Sequence, residues 1–102
     1  MKLYEVRIGN SARVDMDNLR VFLDGMLSLD GAVRYANIMQ AEIKMLAVFA
    51  DCHRRTASKS LKEIHPEARK MLSHNRKWLY VYHIEGRFVI VDRIIPARMD
   101  KG

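Results

Sequence analysis

The sequence predicts an α+β domain, in the order β-α-α-β-β-β, with a helical hairpin packed on one face of a small, largely antiparallel sheet. Three observations carry this. Residues 2–8 alternate at strand period, residues 10–50 place apolar side chains at spacings of three and four, and residues 78–95 form two β-rich runs around a glycine turn.

Along residues 2–8, Tyr4, Val6 and Ile8 fall on one face and Glu5 and Arg7 on the other, the period of a half-buried strand. Gly9, Asn10 and Ser11 break that pattern. Asn10 or Ser11 can cap a helix in which Met16, Leu19, Phe22, Leu23 and Met26 form a stripe, while Arg13, Asp17, Arg20 and Asp24 lie largely outside it. Ser28, Leu29, Asp30 and Gly31 interrupt the helix. A longer helical pattern then runs through Ala32, Tyr35 or Ala36, Met39, Ile43, Leu46 and Phe49 or Ala50, and the short connection implies an antiparallel pair.

The connector that follows is basic. Thr56, Ala57, Ser58 and the His65-Pro66 pair oppose a continuous helix through it, although residues 60–65 have room for a turn or two. Met71 and Leu72 suggest a short strand. From Trp78 onward, WLYVYHIEG at 78–86 and FVIVDRII at 88–95 read as a β-hairpin. With Glu85-Gly86 as the whole turn, Ile84 faces Arg87, Tyr82 faces Val89, Tyr80 faces Val91 and Trp78 faces Arg93. The other face then carries Leu79, Val81, His83, Phe88, Ile90 and Asp92. Both faces are largely apolar, and two helices normally cover one, so the second face calls for another cover.

Composition sets the outer bounds. The 102 residues, 49% of them apolar, suffice for one core, and residues 1–102 are expected to form one domain without repeats, low-complexity tracts or linkers. Cys52 is the single cysteine, which excludes an intrachain disulfide and suits a reducing cytoplasm. No apolar run approaches the roughly 20 residues that span a bilayer, and the amino terminus has no hydrophobic signal core, so neither export nor membrane insertion is expected. The net charge of +6 is localised. Eight Lys and Arg residues stand against Glu63 and Glu67 between His53 and Lys77, which leaves ten charges of each sign elsewhere. A basic excess confined to one stretch suits a surface for a polyanion or an acidic protein, or else a solvated loop.

The short first strand, helical hairpin, basic connector, WLYVYHIEG run and final strand together resemble the RelE/ParE toxin superfamily over nearly the whole chain. The resemblance implies a toxin of a type II toxin–antitoxin system, of the plasmid-stabilisation kind, held inactive by an acidic, partly disordered antitoxin. Its targets in that family are DNA gyrase for ParE-like members and ribosome-bound mRNA for RelE-like mRNA interferases. In the RelE branch, lysines and arginines on the sheet stabilise the in-line transition state as the 2′-hydroxyl attacks. Lys70 matches a family lysine there and Arg98 a family arginine. Leu79, however, stands where an arginine is typical, and the tyrosine of the carboxy-terminal extension has no counterpart. ParE-like relatives end their last strand with an arginine, two apolar residues and a His-Gly-Arg-Arg tail. Here RIIPARMD at 93–100 keeps Arg93, Arg98 and Asp100 without the His-Gly pair. The balance leans toward ParE.

Individual residues sharpen this. The spacing of His53, His65, His74 and His83 matches no zinc pattern, so no metal or other cofactor is expected. His65, His74 or His83 could serve a ribonuclease as general base, although a surface role suits them better. Trp78, Tyr80 and Tyr82 could stack on exposed bases, although at strand spacing a core or partner-facing role suits them better. Met16, Met26, Met39 and Met45 fit helix packing. The expected contact surface for antitoxin or target is therefore an open sheet face and the basic loop, with Arg54, Arg55, Lys59, Lys62, Lys70, Arg76, Lys77, Trp78, Tyr80, Tyr82, Arg93 and Arg98. Lys70, Arg98 and His83 are the candidates for catalysis. Three readings stay open: a gyrase inhibitor, a ribosome-dependent endoribonuclease, and a non-toxic nucleic-acid-binding module of the same fold. A homodimer or a heterotetramer with the antitoxin fits each of the toxin readings.

Overall fold

A computed structural model describes residues 3–26 and 28–100, without the side chains of Leu23, Asp24, Met26 and Leu29. The expectations placed on Lys2 and on the Leu23, Asp24, Met26 and Leu29 side chains lie outside that description. Strand β1 (Glu5–Ile8) leads into helix α1 (Asn10–Met26) and helix α2 (Leu29–Phe49). A 3₁₀ turn (Ala50–Cys52) and a short helix α3 (Lys59–Ile64) precede strands β2 (Arg69–Leu72), β3 (Trp78–Glu85) and β4 (Phe88–Pro96), and a second 3₁₀ turn (Ala97–Met99) follows. The sheet order is β1-β4-β3-β2, with β1 parallel to β4 and the other pairs antiparallel.

Local chemistry explains where the elements begin. Ser28 caps α2, its hydroxyl accepting from Gly31 N–H at 3.2 Å and so satisfying one otherwise unpaired amide. The β3–β4 hairpin turns on Gly86-Arg87, flanked by the Glu85–Phe88 pair. Gly86 has φ +61° and Arg87 does not share the positive φ, which is the II′ pattern. The expected Glu85-Gly86 turn is thus displaced by one residue, because the left-handed position belongs at the first central residue. Tyr82 consequently pairs with Val91 rather than Val89, a shift of two that preserves the faces. A bulge then leaves Asp92 as the extra residue, so Val81 pairs with Arg93, Tyr80 with Ile94 and Trp78 with Pro96.

The core lies between the hairpin helices and one sheet face. Leu19, Met39, Ile43 and Leu46 pack there on Met71, Tyr80, Tyr82, Val89, Val91 and Ile94, joined by Tyr4 and Ala12. Both central tyrosines are 0% exposed and keep their hydroxyls satisfied. Tyr80 donates to Glu42 at 3.0 Å, and Tyr82 donates to the Ala50 carbonyl at 2.7 Å. Burial, the Glu42 charge and its hydrogen bond push the Tyr80 phenol far above its usual range, and burial does the same to Tyr82.

The second face is not open. Leu61 of α3 and Ala68 bury Leu79, Val81 and Ile95, with Ile64 and Ala97 at the margin. The cover anticipated for this face is therefore supplied by the connector itself, whose one and a half helical turns point Leu61 inward and leave Lys59 and Lys62 in solvent.

Candidate functional site

The basic segment gathers along β2 and at the end of the sheet nearest the β2–β3 turn. Arg55 pairs with Arg69 in an isolated antiparallel bridge, and Thr56 N–H reaches the Ala68 carbonyl at 2.8 Å, so the connector runs beside the outer edge of β2. Arg54 and Arg55 are exposed there, Arg55 lying 3.4 Å from Glu67. The Arg69 guanidinium is turned back to the His53 carbonyl at 2.9 Å. Burial, aided by the Arg69 charge, holds the His53 imidazole below its ordinary value.

Lys70 projects from β2 onto the second face beside Val81 and forms an ion pair with Asp100. With His53, Leu72, Leu79 and Ala97 these two line an open cleft of about 450 Å³. Ala97 N–H bonds the Lys77 carbonyl at 2.9 Å and so fixes the last 3₁₀ turn against the β2–β3 connection. Arg98 on that turn faces a neighbouring cleft shared with Phe22, Trp78 and Pro96. Lys70 on the second face and Trp78 and Arg98 on the helix side therefore flank the last 3₁₀ turn from opposite faces of the sheet. Arg76 adjoins them with φ +65°, a left-handed conformation set by the tight loop in which Arg76 N–H bonds the Ser73 carbonyl at 2.9 Å.

Several expected contact residues belong elsewhere. Tyr80 and Tyr82 are core residues beneath the helices, because the alternation of β3 sends its tyrosines inward and its aliphatic set to the α3 side. Trp78 is half-buried on the same inner side, and its indole N–H is buried without a hydrogen-bond partner. Arg93 is held by Asp15 through Nε at 2.7 Å and Nη2 at 3.2 Å, and the hydrogen bond and charge of that carboxylate raise its pKa. His83 is only 7% exposed. Its Nδ1 lies 2.6 Å from Asp92, its Nε2 3.4 Å from Glu85, and its ring is stacked on His65 at 3.7 Å. Both nitrogens already face carboxylates, so the ring acts as a latch for the end of α3 rather than as a base presented to a substrate. His65 is fixed in turn, its Nδ1 accepting from Glu67 N–H at 3.1 Å.

The pairings of Asp15, Asp92 and Asp100 with the candidate cations and His83 were not read from the sequence, although Asp100 was noted in the tail and Asp92 on the face of His83. Cross-strand spacing could signal His83 with Asp92 alone, and it needed the bulge to be known; Asp15 lies on α1 and Asp100 beyond β4. Among the described residues no three His, Cys, Asp or Glu side chains are grouped to hold a metal ion. No described helix is long and apolar enough to cross a membrane.

No family model matches the chain, and no curated protein matches it. Among solved structures it is similar to a chain of the "Chromosomal ParDE TA system from P. aeruginosa", with a TM-score of 0.76. The alignment covers 92% of this chain and 96% of that one at 14% identity, a likeness that shows a shared fold.

Proposed function

We propose that the chain is the ParE-like toxin of a type II toxin–antitoxin pair, that it inhibits DNA gyrase, and that an acidic antitoxin neutralises it. The observation that carries this reading is the near-complete mutual coverage with a ParDE chain, 92% and 96%, which leaves no sizeable part of either fold unmatched. The cationic end built from Lys70, Lys77 and Arg98 supports an acidic or polyanionic partner. Leu79 speaks against RNA cleavage, since a RelE-like member has an arginine there and Leu79 is buried beneath α3. Lys70 is also engaged by Asp100, whereas a phosphorane needs a cationic donor directed at it.

The endoribonuclease reading retains one favourable feature, the presence of Lys70 and Arg98 in clefts on either side of the last 3₁₀ turn. Titration of the purified chain against the product of a neighbouring small acidic reading frame tests the pairing; tight one-to-one binding is expected, and no affinity would remove the antitoxin from the proposal. Cell-free translation tests the alternative. A translation block relieved by Lys70→Ala or Arg98→Ala would favour the ribonuclease. Neither supercoiling inhibition nor a translation block, together with salt-dependent RNA or DNA binding, would favour the non-toxic module.

A further inference from the structure

Helix α3 covers the second sheet face through Leu61, and its last residues are held down by one ring stacked on another. His65 caps the helix, its N–H bonding the Leu61 carbonyl at 3.3 Å. Its imidazole lies parallel to that of His83 on β3, with 3° between the planes and 3.7 Å between the centroids. The chain returns to the sheet directly afterwards, since Ala68 N–H bonds the His65 carbonyl at 3.1 Å. His65 therefore joins the cover to β2 and, through its ring, to β3.

The hydrogen bonds around the two rings fix where protons sit. His65 Nδ1 accepts from Glu67 N–H at 3.1 Å, so that nitrogen carries no proton and the ring keeps its single proton on Nε2. His83 is placed differently. Its Nδ1 lies 2.6 Å from Asp92 of β4 and carries a proton, and its Nε2 lies 3.4 Å from Glu85, a carboxylate that a second proton would also meet. One positive charge thus fits on His83 with no group displaced. A proton added to His65 does not fit: it would sit on Nδ1, set that N–H against the Glu67 N–H, and bring a second cation face to face with His83. The other charged groups around the stack are already turned elsewhere or open to water. Glu67 directs its carboxylate to Arg55, Arg93 is tied to Asp15, and Glu63, in the cleft beside Asp92, is exposed.

We propose that the His65–His83 stack is a proton-operated catch for α3, which holds while the pair carries one positive charge or none and opens when both rings are charged. Opening frees His65 and the end of α3, draws Leu61 from the sheet, and uncovers Leu79, Val81 and Ile95. The working range is the one in which imidazoles take up protons, about pH 5–7. The sign follows from His65, whose bonded arrangement requires the uncharged ring: the cover is closed above this range and released as pH falls through it. The device stands apart from the toxin reading, because it rests on contacts among α3, β3 and β4 alone.

The test is amide exchange followed by NMR on the full chain, expressed as protection relative to the intrinsic rate so that the pH dependence of exchange itself cancels. The reporters are the Lys62 and His65 amides, which bond the Ser58 and Leu61 carbonyls. Their protection is expected to fall roughly tenfold from about pH 7.5 to about pH 5, while amides of the β3–β4 ladder keep theirs. His65→Phe leaves an aromatic ring over His83 that binds no proton, and should hold the reporters equally protected at both pH values. His83→Phe keeps the stack but removes the opposing cation, and should shrink the fall to within about threefold. His53, whose protonation also disfavours the fold, is unchanged in both variants, so the comparison isolates the stack. Reporters that stay protected at the lower pH, a fall of the same size in either variant, or a parallel loss across the β3–β4 ladder would overturn the proposal.

Discussion

Removing the Asp15 carboxylate is expected to destabilise the domain through one backbone amide more than through the ion pair that draws the eye. Asp15 accepts from Arg93 Nε at 2.7 Å, Arg93 Nη2 at 3.2 Å and Ile94 N–H at 2.9 Å, with its side chain 14% exposed. The Arg93 side chain is 41% exposed, so water can re-solvate it and the pairing contributes little. Ile94 is buried and follows the bulge that takes its strand out of register, so its N–H has no ready substitute acceptor. A buried donor left unsatisfied costs about 1–3 kcal/mol, and a bond to an ionised acceptor contributes about 1.5–3 kcal/mol. Asp15→Ala should therefore cost about 2–3 kcal/mol, or about 10–20 °C in Tm for a domain of this size. Asp15→Asn keeps an oxygen for Ile94 N–H and should cost about 1 kcal/mol. Thermal melts followed by circular dichroism at neutral pH decide the matter. An Asp15→Ala variant that melts within about 3 °C of the parent would refute the reasoning, as would an Asp15→Asn variant that is equally damaged.

Leu61→Ala should loosen α3 from the second sheet face at a cost of about 2–3 kcal/mol, with increased dye binding by the exposed Leu79, Val81 and Ile95; urea melts and fluorescence check this. The phenols of Tyr4, Tyr80 and Tyr82 are all raised in the folded state, so the stability they contribute is full below the unfolded value near 10 and declines as pH rises above it. The tyrosinate absorbance of Tyr80 and Tyr82 should appear together with loss of circular dichroism, not before it. His53 is lowered in the folded state, so stability falls as pH drops below the unfolded value near 6.5, and its ring resonances should titrate below that value by NMR. Gly86→Ala forces a side chain into φ +61° and should cost about 1–2 kcal/mol by thermal melt.

The elements legible in the sequence are those whose period is imposed by one buried face. The Met16, Leu19, Met39, Ile43 and Leu46 stripe of the helices and the alternation of Tyr80, Tyr82, Val89 and Val91 are of this kind. Alternation alone does not say which face meets the helices, which is how Tyr80 and Tyr82 came to be expected at a contact surface. The bulge at Asp92 was hidden because every neighbour in the run is compatible with an uninterrupted strand. Helix α3 is too short for periodicity to identify, yet its Leu61, with Ala68, closes the second face. The site was legible as a concentration of charge but not as a set of pairings. Lys70 with Asp100 and Arg93 with Asp15 depend on contacts spanning 30 and 78 residues, where local sequence carries no signal, and His83 with Asp92, 9 residues apart in the hairpin, depends on the bulge.

The central claim is that this ParE-like fold serves to inhibit gyrase, and a supercoiling assay with purified gyrase and purified chain tests it most directly. The account predicts that supercoiling stops in proportion to added chain, that the acidic partner restores it, and that translation in a cell-free extract continues. Unimpaired supercoiling at stoichiometric excess of a folded chain would contradict it.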